Sequence, residues 1–272
     1  MNTPQNCAVE INDLSLCLPG SNTHILKSIS LCIQPGERVA IIGPNGAGKT
    51  TLIRCLLNLT PNQQGHIKIM GQPLATLTQK ELARITSYVP QQLPDNIPFT
   101  TLEFIIMSRY AHSSGTILQD KKNKQMAEEA MQRTGITHLA NQPMSTLSGG
   151  ERQKANIAAA LARQTPILIL DEPSAHLDPK QKESIQQLLA SIEAKPSPTL
   201  ITVTHDLNWA AMHFDRILGM SKGRIVASAT PKELITTAKL EQIFGTRWDI
   251  QTHPQNGRPM VLPSHHSTTA IT

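Results

Sequence analysis

The chemistry most legible in this chain belongs to a lysine and a threonine set behind spaced glycines. Gly43-Pro44-Asn45-Gly46-Ala47-Gly48-Lys49-Thr50 fits G-x-x-x-x-G-K-[ST], and Thr51 extends the run. Glycines keep side chains out of such a loop, so backbone N–H groups can point at phosphate oxygens. Lys49 brings a positive charge to the terminal phosphates of ATP, and Thr50 offers a hydroxyl to Mg²⁺. The apolar run before the loop and the helical pattern after it separate this motif from a glycine-rich turn with a chance lysine.

A metal-bound triphosphate needs a second acidic element. Ile167-Leu168-Ile169-Leu170-Asp171-Glu172 is an apolar strand that ends in two carboxylates. Asp171 is placed to contact Mg²⁺ or its waters, and Glu172 to polarise an attacking water. A third element, Leu147-Ser148-Gly149-Gly150-Glu151-Arg152-Gln153, joins bare glycine backbone to a helix start. Ser148 and Glu151 have capping-box spacing, so this helix end is a second phosphate-binding device. One γ-phosphate does not need two such devices, which points to a nucleotide held by another copy of the chain.

These residues need a parallel sheet to carry them. Arg38–Ile42, Ile167–Leu170, Leu200–Thr204 and Arg216–Met220 read as short buried strands alternating with helices. Ala8–Leu18 and Ile25–Ile33 read as earlier strands separated by a turn at Pro19-Gly20, and Gly65–Met70 as another. Capping boxes at Thr78–Glu81 and Thr100–Glu103 open helices, and the texture from about 94 to 162 is helical, an insertion into the α/β domain. The expected organisation is one ATPase domain over 1–250 and a partly mobile tail over 251–272. The tail's His265-His266 pair reads as unstructured rather than metal-binding.

Composition narrows the class further. The 272 residues are 39% hydrophobic and only 17% charged, which excludes a charge-driven disordered chain. Net charge is +5, but the basic residues form no run, so charge by itself assigns no nucleic-acid partner. The four cysteines, Cys7, Cys17, Cys32 and Cys55, form no CxxC pair. Disulfides are not expected, because Cys32 and Cys55 sit in apolar patterns that read as core. The polar start lacks signal-peptide features, and no apolar stretch approaches the ~20 residues of a spanning helix. The expectation is a cytosolic chain whose membrane role, if it has one, requires a partner.

With these motifs in order, the chain resembles the ATP-binding cassette family over about residues 8–245. Gly43–Thr51 is similar to its phosphate loop, Gln91 to its Q-loop glutamine and Leu147–Gln153 to its signature. Ile167–Glu172 resembles its second Walker motif, Pro173–Asp178 its D-loop, and His205 its switch histidine. The resemblance implies a P-loop NTPase core with an N-terminal antiparallel β subdomain and an inserted helical subdomain. It also implies a head-to-tail homodimer enclosing two ATPs, in which Ser148, Gly149 and Gly150 of one copy face the γ-phosphate held by Lys49 of the other. In that scheme Glu172 is the general base, His205 touches the γ-phosphate, Gln91 links metal and water to the membrane partner, and Asp178 meets the opposite subunit. The family's adenine-stacking aromatic aligns with Leu18, where aliphatic packing replaces stacking and gives up part of the ~1 kcal/mol that aromatic contact adds.

Finer likeness points to importers of iron chelates, haem and cobalamin. It lies in Ser87-Tyr88-Val89-Pro90-Gln91-Gln92, Phe99–Arg109, His205-Asp206-Leu207-Asn208 and the Pro254–Pro259 run. Zinc, manganese and molybdate importers share much of this texture. The implied setting is the cytoplasmic face of the inner membrane, with a separate permease and, indirectly, a substrate-binding protein. A soluble cassette ATPase acting on ribosomes or DNA usually carries two cassettes or a long coiled coil, and a P-loop kinase has no use for the Leu147–Gln153 element. Neither fits as well as transport.

Overall fold

The computed structural model describes residues 7–17, 23–61, 63–92, 94, 96–112, 117–192 and 198–263. Leu18 and His265-His266 lie outside the described residues.

The chain opens with β1 (Val9–Cys17) and β2 (His24–Ile33), then β3 (Arg38–Ile42), helix α1 (Lys49–Leu56), β4 (Gln64–Ile69) and the short β5 (Gln72–Pro73). Helix α2 (Gln79–Ile85) leads into β6 (Thr86–Val89). Three helices follow, α3 (Thr101–Met107), α4 (Ile117–Thr134) and α5 (Gly149–Ala162). The alternation resumes with β7 (Ile167–Asp171), α6 (Pro179–Ala190), β8 (Thr199–Val203), α7 (Leu207–His213), β9 (Arg216–Ser221) and β10 (Arg224–Ala229). Short helices α8 (Pro231–Leu234) and α9 (Thr237–Phe244) precede a hairpin of β11 (Trp248–Thr252) and β12 (Pro259–Pro263).

β2-β1-β4-β5 form an antiparallel sheet, and the main sheet runs β10-β9-β3-β8-β7-β6. All pairings from β9 to β6 are parallel, and only β10 turns back on β9. The central strands are apolar on both faces because each face has its own cover. Ala40, Ile42, Leu168 and Leu170 point into a core with the helices, while Val39, Ile41, Ile167 and Ile169 point into a core with the antiparallel sheet and α1. This alternation of faces along a strand follows from the pleat.

The sheet order brings the candidate site residues together. β3, β8, β7 and β6 are neighbours and parallel, so the segments leaving their carboxyl ends meet on one edge. Those segments are the glycine loop, His205, Asp171-Glu172 and Gln91.

Two expectations are corrected. Cys7 and Cys32 form a disulfide with Cα atoms 5.7 Å apart. The strand register sets Cys32 opposite Glu10, so the bridge runs diagonally from Cys7, just before β1 where the Ala8 N–H bonds the Ile33 carbonyl, and Cys32 is half-buried rather than core. Cys55 is buried and free. Within the segment read as a partly mobile tail over 251–272, the described residues carry β12 and the end of β11, paired from Trp248↔Pro263 to Thr252↔Pro259. These strands are five residues long, too short to show a period.

Candidate functional site

The glycine loop is held from behind. Gly43 has φ +151°, and a Cβ there would stand 2.2 Å from the Met220 carbonyl oxygen of β9. Gly223, in the β9–β10 turn, donates its N–H to the Ala47 carbonyl at 3.1 Å. The loop is therefore pressed against the sheet edge at both ends, and α1 starts at Lys49 directly after a left-handed Gly48. Lys49 is 6% exposed, and its Nζ donates to the Gly43 and Pro44 carbonyls at 2.8 and 3.0 Å. Burial pushes its pKa down, and the charges of Glu172 and Asp171 only partly oppose that.

Asp171 is 2% exposed at the end of β7. Its Oδ1 accepts from the Thr50 hydroxyl at 3.4 Å, a long bond. Burial pushes this carboxyl up, against the Thr50 bond, and the adjacent Glu172 pushes the same way. A buried carboxylate short of donors beside an exposed hydroxyl fits a small, hard divalent cation, which takes oxygen ligands and keeps several waters. Tyr88, behind Asp171, is pushed up to about 12 by burial and stays a neutral phenol.

Glu172 departs from the strand with φ +49°, an uncommon value for a carboxylate residue and one seen where surrounding structure dictates the backbone. The carboxylate is gripped from two sides. His205 Nε2 lies 2.7 Å from Oε1, and Gln91 Nε2 donates to Oε2 at 3.0 Å. One side comes from the end of β8 and the other from the end of β6. A cavity of about 530 Å³ opens here, lined by residues 45–51, Gln91, Glu172, His176 and His205. It has room for a triphosphate.

His176 is the lining residue to which the sequence assigned no part. It sits in the Pro173–Asp178 segment at φ +61°, and neither its type nor its spacing marks which way that backbone turns. Ser148, Gly149 and Gly150 are not among the cavity's lining residues. Ser148 caps α5 instead, accepting from the Glu151 N–H at 3.4 Å while Glu151 accepts the Ser148 N–H at 2.9 Å. Ser148 and Gly149 are exposed. Asp178 likewise caps α6 through the Gln181 N–H at 2.9 Å.

The family model described as ABC transporter matches residues 26–175. The ferric enterobactin transport ATP-binding protein FepC of Escherichia coli (strain K12) is 37% identical over 239 residues, covering 88% of each chain. The hemin import ATP-binding protein HmuV of Methylobacillus flagellatus is 36% identical over 258 residues, covering 93% of this chain and 95% of that one. Among solved structures, the dimeric post-hydrolysis state of the ATP-binding cassette MJ0796 bound to ADP and Pi matches at TM-score 0.71 and 29% identity, over 82% of this chain and 98% of that one. An inward-facing chain described as a metal-chelate type ABC transporter shares the fold at TM-score 0.81 and 23% identity, over 96% and 98%.

Proposed function

The chain belongs to the ABC transporter family as an ATP-hydrolysing subunit, and from that premise we propose that it drives import of an iron complex, a siderophore or haem. The observation that carries the hydrolytic part is Glu172, held between Gln91 and His205 at the mouth of the phosphate cavity. Its two oxygens are oriented by donors from different strand ends, so the carboxylate is fixed before any water arrives, and positioning of this kind is what phosphoryl transfer requires.

In this reading the N–H groups of residues 43–51 cradle the phosphates, and the N-terminus of α1 adds its dipole. Lys49 exchanges its two carbonyl partners for phosphate oxygens, which relieves the burial of its charge. Thr50, Asp171 and Gln91 hold Mg²⁺, which neutralises charge on the phosphate oxygens. Glu172 accepts a proton from the attacking water, and His205 and Gln91 keep it aimed. Ser148, Gly149 and Gly150 serve the γ-phosphate of a partner copy in a homodimer, which agrees with the exposure of Ser148 and Gly149 away from the chain's own cavity.

The iron-complex assignment is supported by FepC and HmuV, whose names specify ferric enterobactin and hemin. No helix among the described residues is long and apolar enough to cross a membrane. In this reading the pathway belongs to permease subunits on other chains. Met107, Tyr110, Ile117 and Leu118 in the helical insertion are 51–80% exposed, apolar surface suited to meeting such a permease. The subunit then sits at the cytoplasmic face of the inner membrane, with a substrate-binding protein reached only through the permease. The test is affinity purification of the tagged chain from detergent-solubilised membranes. Recovery of a many-span permease, with ATP-dependent uptake of haem or a ferric siderophore by the complex, is expected. Recovery of ribosomes or nucleic acid without membrane protein would overturn the importer and leave the ATP chemistry standing.

A further inference from the structure

His205 has one hydrogen-bond partner among the described residues, Glu172, and its side chain is 43% exposed. With that single bond at its tip, the direction of the ring depends on the backbone between Thr204 and Asp206. That backbone is the entry to α7, a helix of seven residues, too short to be stable without tertiary support.

Both ends of α7 are tied. At the start, Asp206 accepts the Trp209 N–H at 2.8 Å and holds Lys182 at 2.8 Å and Gln186 at 3.0 Å, both on α6. The other tie comes from the hairpin β11–β12. Asn208 Nδ2 donates to the Val261 carbonyl at 3.1 Å, and Asn208 Oδ1 accepts the Val261 N–H at 2.7 Å. The amide thus completes the backbone pairing of β12 on the side away from β11, as a third strand would. Val261 is 6% exposed, so the backbone half of these bonds lies inside the fold, while Asn208 stands at its surface. Arg258 donates from Nη1 to the Ala211 and Met212 carbonyls at 2.9 and 2.8 Å, bonding carbonyls that a helix end leaves open and placing a cation at its negative pole.

We propose that the C-terminal hairpin is a clamp that aims His205 at Glu172 through α7, with Asn208 and Arg258 as positioning residues. The clamp rests on the reading of Glu172 and His205 as the hydrolytic pair. It acts on the rate of hydrolysis rather than on nucleotide affinity, because the phosphate loop leaves β3 and makes no contact with the hairpin in the bonds described.

The test uses the full chain carrying Asn208→Leu, which removes both bonds at similar volume, and Asn208→Asp, which keeps the acceptor for the Val261 N–H. Arg258→Gln is the second route to the clamp should Asn208→Leu fold poorly. Steady-state ATP hydrolysis and amide hydrogen exchange of residues 204–213 are read together. The expected result is a kcat lowered about tenfold in Asn208→Leu with KM for ATP within about twofold, a split that marks loss of an interaction made in the transition state. Exchange over 204–213 rises while that of residues 43–51 stays put, and Asn208→Asp recovers part of the rate. An unchanged kcat overturns the clamp, whether or not α7 exchanges faster. A kcat and KM that worsen together, with faster exchange at 43–51, also overturn it, because that is general destabilisation. Glu172→Gln run alongside separates the two readings. If it hydrolyses ATP at the wild-type rate, the hydrolytic pair is wrong and the rate argument falls with it, while the exchange data still decide whether the hairpin holds α7.

Discussion

Asp171→Asn should make the ligand-free protein more stable while spoiling its site. The Asp171 carboxyl is 2% exposed, pushed up by burial and by Glu172, and relieved by one long bond from Thr50 and the charges of Lys49 and His205. A buried charged group short of partners costs about 1–3 kcal/mol. Asparagine keeps the shape and still accepts from Thr50, and the lost attraction to Lys49 takes back part of the gain. A net stabilisation of about 1 kcal/mol is expected, which in a chain of this size raises Tm by roughly 2–4 °C. The sign with pH follows from linkage. The folded pKa lies above the unfolded one, so the wild type loses stability as pH rises from the ordinary carboxylate range through the raised value. The variant's advantage therefore grows as pH rises through the raised value and disappears in acid, where both side chains are uncharged. The assay is thermal unfolding without nucleotide or divalent cation, at neutral and at acid pH, and then with Mg·ATP, which should favour the wild type. A variant less stable than the wild type in ligand-free neutral buffer would refute the view that the site carries an uncompensated carboxylate.

Two further substitutions and one treatment extend the test. Gly43→Ala drives a Cβ to 2.2 Å from the Met220 carbonyl, whereas a Cβ at Gly46 meets nothing within 4 Å. Overpacking of this kind costs about 1–3 kcal/mol, so Gly43→Ala should melt several degrees below Gly46→Ala and bind ATP more weakly, and equal melting temperatures would contradict the pressed-loop geometry. Reducing the Cys7–Cys32 disulfide, which spans a separation of 25 residues, should cost about 3 kcal/mol by loop entropy and leave ATP binding intact. Coincident melting curves with and without reductant would show that the bridge adds nothing.

The phosphate loop and Asp171-Glu172 were legible because each follows a short apolar strand, and parallel strands deliver their carboxyl ends to one edge, whereas Gln91 and His205 were picked out only by the family resemblance. Strand β3 falls where its apolar run predicts, while α1 begins three residues earlier than its apolar pattern, at Lys49, because the loop itself winds into the helix. The bond between Gln91 and Glu172 joins residues 81 apart, and nothing local announces it. The left-handed backbone of Glu172 is equally silent in sequence, since a carboxylate is not a residue that prefers it. The disulfide was misread because an apolar pattern was taken for depth, whereas Cys32 lies at a half-exposed strand end within reach of Cys7. The hairpin over α7 was missed because β12 earns its place through Asn208 and one buried valine, contacts across 53 residues of chain.

The most direct measurement of the central claim is ATP binding and hydrolysis by Glu172→Gln beside the wild type. The glutamine keeps its place between Gln91 and His205 but cannot accept the proton of the attacking water. ATP should still bind, a nucleotide-bound dimer should accumulate, and hydrolysis should slow by about 10²-fold or more. Hydrolysis at the wild-type rate would show that the proton goes elsewhere and that Glu172 is not the base.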